Sequence, residues 1–348
     1  MCDTPMKGFR VGITKNGKQL LKLASMDASY VSVRDDGVLT VIYNDDNNSS
    51  VYAREVRKIR DFEIVPCGRC LACRLAKAAE WANRCMLELK YHDTACFVTL
   101  TYDDDHAKNG CYTDPDTGEL SFSRTLVKRD LQKFWKRLRK KYPESNIRYY
   151  ACGEYGESTQ RPHYHAIIFG WKPDDLIPWS RNEKGDPLYL SQELYEIWQN
   201  GNVLVGDVNY ATCNYVARYV TKKIYSTDSD EQYIMKGRIP PFTSMSLKPA
   251  IGRQWYEDNP WCIDRPISIS TPDRGITFNA PRYFQKLYDR DHSEEITNHD
   301  LYKDVKHDIM MAERPYLKEK NNQRESVIGE KKEAERQKIN KSFKRNAL

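Results

Sequence analysis

Two histidines stand two positions apart, His163 and His165, inside HYHAIIFGW, a run whose apolar content predicts a strand over 163–171. Successive side chains on a strand point to opposite faces, so both imidazoles share one face. The run before it, IRYYACGEYG (147–156), is also a predicted strand. The short polar turn ESTQRP makes the two an antiparallel hairpin. A carboxylate at Glu154 then lies beside the histidines. Glu154, His163 and His165 would make a three-ligand set that leaves coordination positions open for a phosphate oxygen and water. Taken alone, His163 and His165 read equally well as ordinary sheet residues.

A second group changes that balance. Tyr215 and Tyr219 are four apart in TCNYVARYVTKKIY, a predicted helix over 212–225, so their hydroxyls share a face with Lys223, four further on, and Lys222 close by. A phenol with a pKa of about 10 is a poor nucleophile. Attack on a phosphodiester becomes feasible when a metal polarises the phosphate and a cation stabilises phenolate character. Tyrosines at this spacing are more often core packing or a DNA-facing surface. Their company with the histidine motif is what favours catalysis. Imidazoles suit softer ions and Mg²⁺ prefers oxygen, so the expected ion is Mn²⁺ or Mg²⁺.

Cys67, Cys70 and Cys73 form C-x-x-C-x-x-C, with Cys85 twelve residues later. That spacing permits a structural Zn²⁺ site, and free thiols packing a turn are the alternative. Asp103, Asp104 and Asp105 follow a predicted strand, where an acidic run reads as a solvated turn before it reads as a cation site. Residues 124–148 hold ten cations against Asp130 and Glu144, a local +8. Lys133, Lys136, Arg137 and Lys140 lie on the polar side of a predicted helix there, either solvated or placed to follow a phosphate backbone. Tyr149, Tyr150, Tyr155 and Tyr164 on the sheet are candidates for stacking on unpaired bases, although by alternation half must face the core.

The elements that position these residues begin at 96. CFVTLTY (96–102) is a strand, and 126–142 is a helix with Val127, Leu131, Phe134, Trp135 and Leu138 on one face. The hairpin follows, then a helix over 190–200, a strand over 203–210 and the tyrosine helix. The order β-α-β-β-α-β-α is a split βαβ arrangement, an α+β fold with an antiparallel sheet and flanking helices. Upstream, 1–66 reads as a β-like region of unknown role, and 67–95 as a Cys-rich turn and helix, the helix over 74–90. The core is 96–225. Downstream, 226–317 is an extension whose segment 237–262 reads as loop and 282–311 as helix. The tail 318–348, with ten basic and five acidic residues, is a solvated helix or disorder.

The 348 residues carry 55 Lys+Arg against 49 Asp+Glu, a weak +6 whose placement matters more than its size. No run of eighteen apolar residues is present, and MCDTPMKGFR lacks a signal-like apolar stretch, so a soluble protein of the cytoplasm, without a membrane partner, is expected. In that reducing setting the ten cysteines read as thiols or metal ligands.

FVTLTYDDDH (97–106), CGEYG (152–156), RPHYHAIIFG (161–170) and YVARYVTKK (215–223) together resemble the motifs of HUH-type rolling-circle initiators. PCGRCLACRLAKAAEWANRCMLE (66–88) and FTSMSLKPAIGRQWYEDN (242–259) extend the resemblance to the replication initiators of the gokushovirus branch of the Microviridae, over roughly 66–260. The resemblance places His163 and His165 at the HUH positions, Glu154 at the acidic ligand, Tyr215 and Tyr219 at the paired nucleophiles, and the downstream lysine at Lys223 or Lys222. It implies an HUH-type palm-like sheet and nicking of supercoiled and single-stranded origin DNA with a divalent ion. A 5′-phosphotyrosine link, and later rejoining of a single-stranded circle, are implied as well. Host helicase and polymerase would be the partners, in the cytoplasm of the infected cell. Two other classes stay open: a nucleic-acid-binding module without catalysis, and a regulator organised by zinc.

Overall fold

The structure is a computed structural model that describes residues 2–13, 19–34, 37–43, 55–156, 158–182, 185–223, 233–271 and 275–292. The chain divides into two compact units, Met1–Ala76 and Lys77–Leu348. Among the described residues no helix is long and apolar enough to cross a membrane.

The first unit is β-rich. Strands β1 (Met6–Ile13), β2 (Gln19–Ala24) and β6 (Phe62–Val65) form one antiparallel sheet, and β3 (Tyr30–Arg34), β4 (Leu39–Ile42) and β5 (Glu55–Ile59) form another. Phe9, Ala24, Ala28, Val31 and Ile59 are its core. After β6, the Cys-rich turn leads into helix α1 (Leu71–Leu89), within which the boundary between the units falls. The helix begins three residues before the expected start, so Cys73 is already helical.

In the second unit, β7 (Ala95–Thr101) is followed by a hairpin of β8 (Asn109–Thr113) and β9 (Leu120–Arg124), then by α2 (Lys128–Lys141). The expected hairpin is β10 (Arg148–Tyr155) and β11 (Pro162–Phe169). It leads to β12 (Ile177–Arg181), β13 (Pro187–Leu190), α3 (Gln192–Trp198), β14 (Val203–Gly206) and α4 (Tyr210–Lys223). Beyond α4 come β15 (Phe242–Met245), α5 (Arg253–Asp258), the hairpin β16 (Ile267–Ser270) and β17 (Gly275–Phe278), and α6 (Arg282–Asp291).

The seven-stranded sheet runs β12-β13-β14-β7-β11-β10-β15, every neighbouring pair antiparallel. Its middle, β14-β7-β11-β10, is the interleaved order of a split βαβ fold, in agreement with the α+β expectation. Three strands of this sheet were not expected. Strands β12 and β13 extend one edge, and β15, inside the segment read as loop, pairs with β10 on the other. The expected helix over 282–311 is α6 as far as Asp291; its continuation and the tail 318–348 lie outside the described residues.

Helices cover both faces of the sheet. On one, Leu131, Phe134, Trp135 and Leu138 of α2 join Leu194, Ile197 and Trp198 of α3 against Val98, Leu100, Ala151, Tyr164, Ala166 and Ile168. On the other, Ala78, Ala82 and Cys85 of α1 and Cys213, Val216 and Ala217 of α4 pack on Tyr150, Cys152, Ile167 and Phe169. The spacing i, i+3, i+4 of the α4 contacts gives that helix its apolar stripe. Its start is fixed by a reciprocal cap: Asn209 Oδ1 accepts from the Thr212 amide at 2.9 Å, and Thr212 Oγ1 accepts from the Asn209 amide at 2.9 Å.

The segments 66–88 and 242–259, which carried the fuller resemblance, meet in this unit. Arg84 donates through Nε and Nη2 to Ile251 O at 3.1 and 2.8 Å. Glu88 accepts from the Gly252 amide at 2.6 Å and pairs with Arg148 Nε at 2.5 Å and His92 Nε2 at 3.2 Å. Burial pushes the Glu88 carboxyl up, but His92, the Gly252 amide and Arg148 outweigh it and hold the group below its ordinary value.

Candidate active site

Register decides which side chains meet. Glu154 pairs directly with His163, and His165 lies two pairs further along, opposite Cys152 on β10 and Thr99 on β7. Glu154, His163 and His165 therefore share the face covered by α1 and α4, continuing the row that holds Tyr150, Cys152, Ile167 and Phe169. Their ligand atoms lie within 4.8 Å of one another. Glu154 Oε1 is 3.0 Å from His163 Nε2 and 2.9 Å from His165 Nε2. Glu154 and His165 are buried, with 4% and 5% exposure.

The far nitrogens have partners of their own. His163 Nδ1 is 3.0 Å from Arg161 O, and His165 Nδ1 is 3.0 Å from Thr99 Oγ1. A carbonyl only accepts, so His163 carries its proton on Nδ1. In the neutral ring this leaves the Nε2 lone pair facing a carboxylate oxygen, which is satisfied only by a proton or a cation held between them. Burial pulls His165 below its ordinary pKa, although Glu154 opposes the shift. Burial raises the Glu154 carboxyl, but bonds from His163 and His165 outweigh it and keep it low. A low carboxyl and a predominantly neutral buried imidazole are the protonation states a metal ligand needs.

Phe97 lies parallel to His165, ring centroids 5.6 Å apart, and closes one side. Tyr215 of α4 meets the same imidazole edge-on, centroids 5.0 Å apart, with its hydroxyl 3.4 Å from His165 Nε2. The backbone of α4 continues through Tyr219, Lys222 and Lys223, and the side chains of these three lie outside the described residues.

The basic helix is placed differently from the expectation. Helix α2 packs on the opposite face of the sheet from the histidine pair, and its cations are not beside the site. Lys133, Lys136 and Lys140 are exposed. Arg137 is only half exposed and donates to Ile197 O and Trp198 O, both at 2.6 Å, at the C-terminal end of α3. That geometry ties two helices together and takes Arg137 out of the free cationic surface. The sheet tyrosines are also interior. Tyr164 OH accepts from the Val127 amide at 2.8 Å, Tyr155 OH accepts from the Leu126 amide at 3.1 Å, Tyr150 is fully buried, and Tyr149 stacks on Trp135 with centroids 4.0 Å apart. None of these four rings is presented for base stacking. Asp104 is bound by Arg124 and Arg161 at 2.7 and 2.8 Å, and Asp103 caps His106, so the acidic run is a turn.

Of the four cysteines assigned to a common site, Cys85 does not join the others. It lies twelve residues along α1 from Cys73, roughly 18 Å at the helical rise, too far for one ion. It is buried in the second unit, packed with Cys213 among Ala78, Ala82 and Val216. Cys2 takes its place beside Cys67, Cys70 and Cys73 in the first unit. Thr99 and the Arg161 carbonyl were missed in the sequence. The alternation of Phe97 and Thr99 in FVTLT marks one face of β7, but only the register with β11 reveals that Thr99 meets His165.

The fold and site define an α+β protein in which a buried two-histidine, one-carboxylate pocket opens beside a helix-borne tyrosine. Residues 95–224 match the family model for the phage replication-associated protein ORF2. Replication-associated protein VP4 of Bdellovibrio phage phiMH2K is 34% identical over 243 residues, 68% of this chain and 70% of that protein. Replication-associated protein ORF2 of Spiroplasma virus 4 is 34% identical over 240 residues, 67% of this chain and 70% of that protein. Replication-associated protein ORF4 of Chlamydia phage 1 is 28% identical over 242 residues, 66% of this chain and 55% of that protein. No solved structure gives a significant match. The chain belongs to this family of phage replication-associated proteins, in agreement with the group its motifs resemble.

Proposed function

We infer that the chain initiates phage DNA replication by cutting one strand at the origin through tyrosine attack. The observation that carries this reading is the Tyr215 hydroxyl, 3.4 Å from His165 Nε2 at the edge of the Glu154, His163 and His165 pocket. The relatives' names supply the biological setting: each is a replication-associated protein of a small phage.

The pocket fits a divalent ion on its own chemistry. Its three donors converge with N···O separations of 2.9 and 3.0 Å. These match the edge of an octahedron with bonds of about 2.1 Å. The partners at Arg161 and Thr99 orient both Nε2 atoms inward. Glu154, His163 and His165 would hold Mg²⁺ or Mn²⁺, which when bound polarises a phosphate oxygen as a Lewis acid.

The chain's own residues do the rest. The Tyr215 oxygen forms a bond to phosphorus as the bond from phosphorus to the 3′ oxygen breaks; the phenol proton is lost and the leaving 3′ oxygen gains one. The ester energy is kept in the phosphotyrosine, so rejoining needs no nucleotide. Tyr219, one turn on, would make the second cut, and Lys222 or Lys223 would offset the developing phenolate charge. The released 3′-OH would prime a host polymerase, with a host helicase opening the duplex ahead.

Full-length protein incubated with Mn²⁺ or Mg²⁺ and a supercoiled plasmid carrying the phage origin tests this. Open circles with protein attached at the 5′ end support it. DNA that is bound but uncut, with every metal tried, favours the binding-module reading instead.

A further inference from the structure

We propose that Cys2, Cys67, Cys70 and Cys73 form a structural zinc site that clasps the N-terminal end of the chain to the start of α1. All ten cysteines are thiols, and these four gather half-buried in the first unit with their sulfurs within 4.8 Å of one another. The Cys2 and Cys70 sulfurs are 3.8 Å apart, and those of Cys67 and Cys73 are 4.0 Å apart. A zinc–sulfur bond of about 2.3 Å in tetrahedral geometry gives a sulfur–sulfur edge of about 3.8 Å. The four sulfurs thus already outline the coordination polyhedron of that ion.

The surrounding backbone is organised for anionic sulfur. Cys67 Sγ accepts from the amides of Arg69 and Cys70 at 3.4 and 3.3 Å. This turn needs Gly68 at φ +74°, where a side chain would be strained. Cys70 Sγ accepts from the Asp3 amide at 3.4 Å, and Cys2 Sγ accepts from the Cys67 amide at 3.2 Å. Cys73 lies in the first turn of α1, at the positive end of its dipole. Four soft donors with no open position make a closed, structural shell, separate from the histidine pocket in composition and in role. Its effect is to close a 65-residue loop between Cys2 and Cys67 around the two small sheets.

The test uses the full chain tagged only at its C-terminus and purified without chelator. The expected result is about one zinc per chain by elemental analysis. Alkylation with peptide mapping, with and without a strong zinc chelator, should show Cys2, Cys67, Cys70 and Cys73 becoming reactive together on chelation. Exposed Cys111 should react in both conditions and buried Cys85 in neither. Cys2→Ser should weaken zinc retention at least tenfold, and Cys85→Ser should leave it unchanged. The mapping on the unaltered chain decides the matter even where a variant fails to fold. A chain that takes up no zinc overturns the proposal, as does chelation that leaves Cys2 reactivity unchanged or zinc that depends on Cys85.

Discussion

Replacing Thr99 with valine isolates the least obvious part of the site. The substitution keeps the side chain's shape and removes only the hydroxyl, 3.0 Å from His165 Nδ1. His165 is buried, so the lost acceptor is not replaced by water. The ring proton then moves to Nε2, where Glu154 Oε1 waits at 2.9 Å, and the lone pair that should face a cation is occupied. Because that internal bond compensates, the metal-free fold should lose only about 1 kcal/mol, the low end for an orphaned polar group. Metal binding must now displace a proton, and loss of such an orienting partner costs about 10–100-fold in affinity, or about 1.4–2.7 kcal/mol. Nicking of a single-stranded origin oligonucleotide, measured across a Mn²⁺ series, should need about 10–100-fold more metal for half-maximal rate, with much of the rate regained at saturation. A Thr99→Val protein whose metal dependence matches the parent would refute the tautomer argument.

Three further outcomes follow from the same coordinates. Glu88→Gln leaves Arg148 buried without its counter-charge and should lower stability by about 3–5 kcal/mol in denaturant melts at neutral pH. Since the folded-state pKa of Glu88 is depressed, its contribution is complete above the unfolded value of about 4.3 and disappears as pH falls through the lower folded one; the difference between parent and variant should shrink on that acid limb. Changing Lys133, Lys136 and Lys140 together to alanine should weaken binding to long duplex and flatten its salt dependence by about 0.9 per lost phosphate contact. Because α2 covers the face opposite the histidines, the same variant should nick a short single-stranded oligonucleotide at the parental rate. An equal loss on both substrates would place these lysines at the reacting strand.

The site was readable where local periodicity sufficed. Alternation along β10 and β11 and the short turn between them put Glu154 beside His163, and helical spacing put Tyr215 and Tyr219 on one face, because both signals depend on residues close in sequence. What depends on distant pairing was not readable. Thr99 meets His165 only through the β7 and β11 register, and Cys2 joins Cys67 across 65 residues with no periodic signal at all. Reading the helix from 74 instead of Leu71 hid the fact that Cys73 is already helical, which sets Cys85 three turns beyond it. Strand β12 carries Pro178 and β13 begins at Pro187, residues that weaken a strand signal and are tolerated here in the last two strands of the sheet. The tyrosines of β10 and β11 look like a stacking surface in sequence, but helices on both faces of the sheet bury three of them.

The central claim is tested most directly by trapping. Full-length protein is reacted with Mn²⁺ and a single-stranded origin oligonucleotide, then digested and mapped for the nucleotide-bearing peptide. The expected product is a 5′-phosphate ester on Tyr215 in the parent and its loss in Tyr215→Phe, with metal affinity unchanged in that variant. An adduct on a residue outside α4, or strand cleavage that persists when Tyr215 and Tyr219 are both phenylalanine, would contradict it.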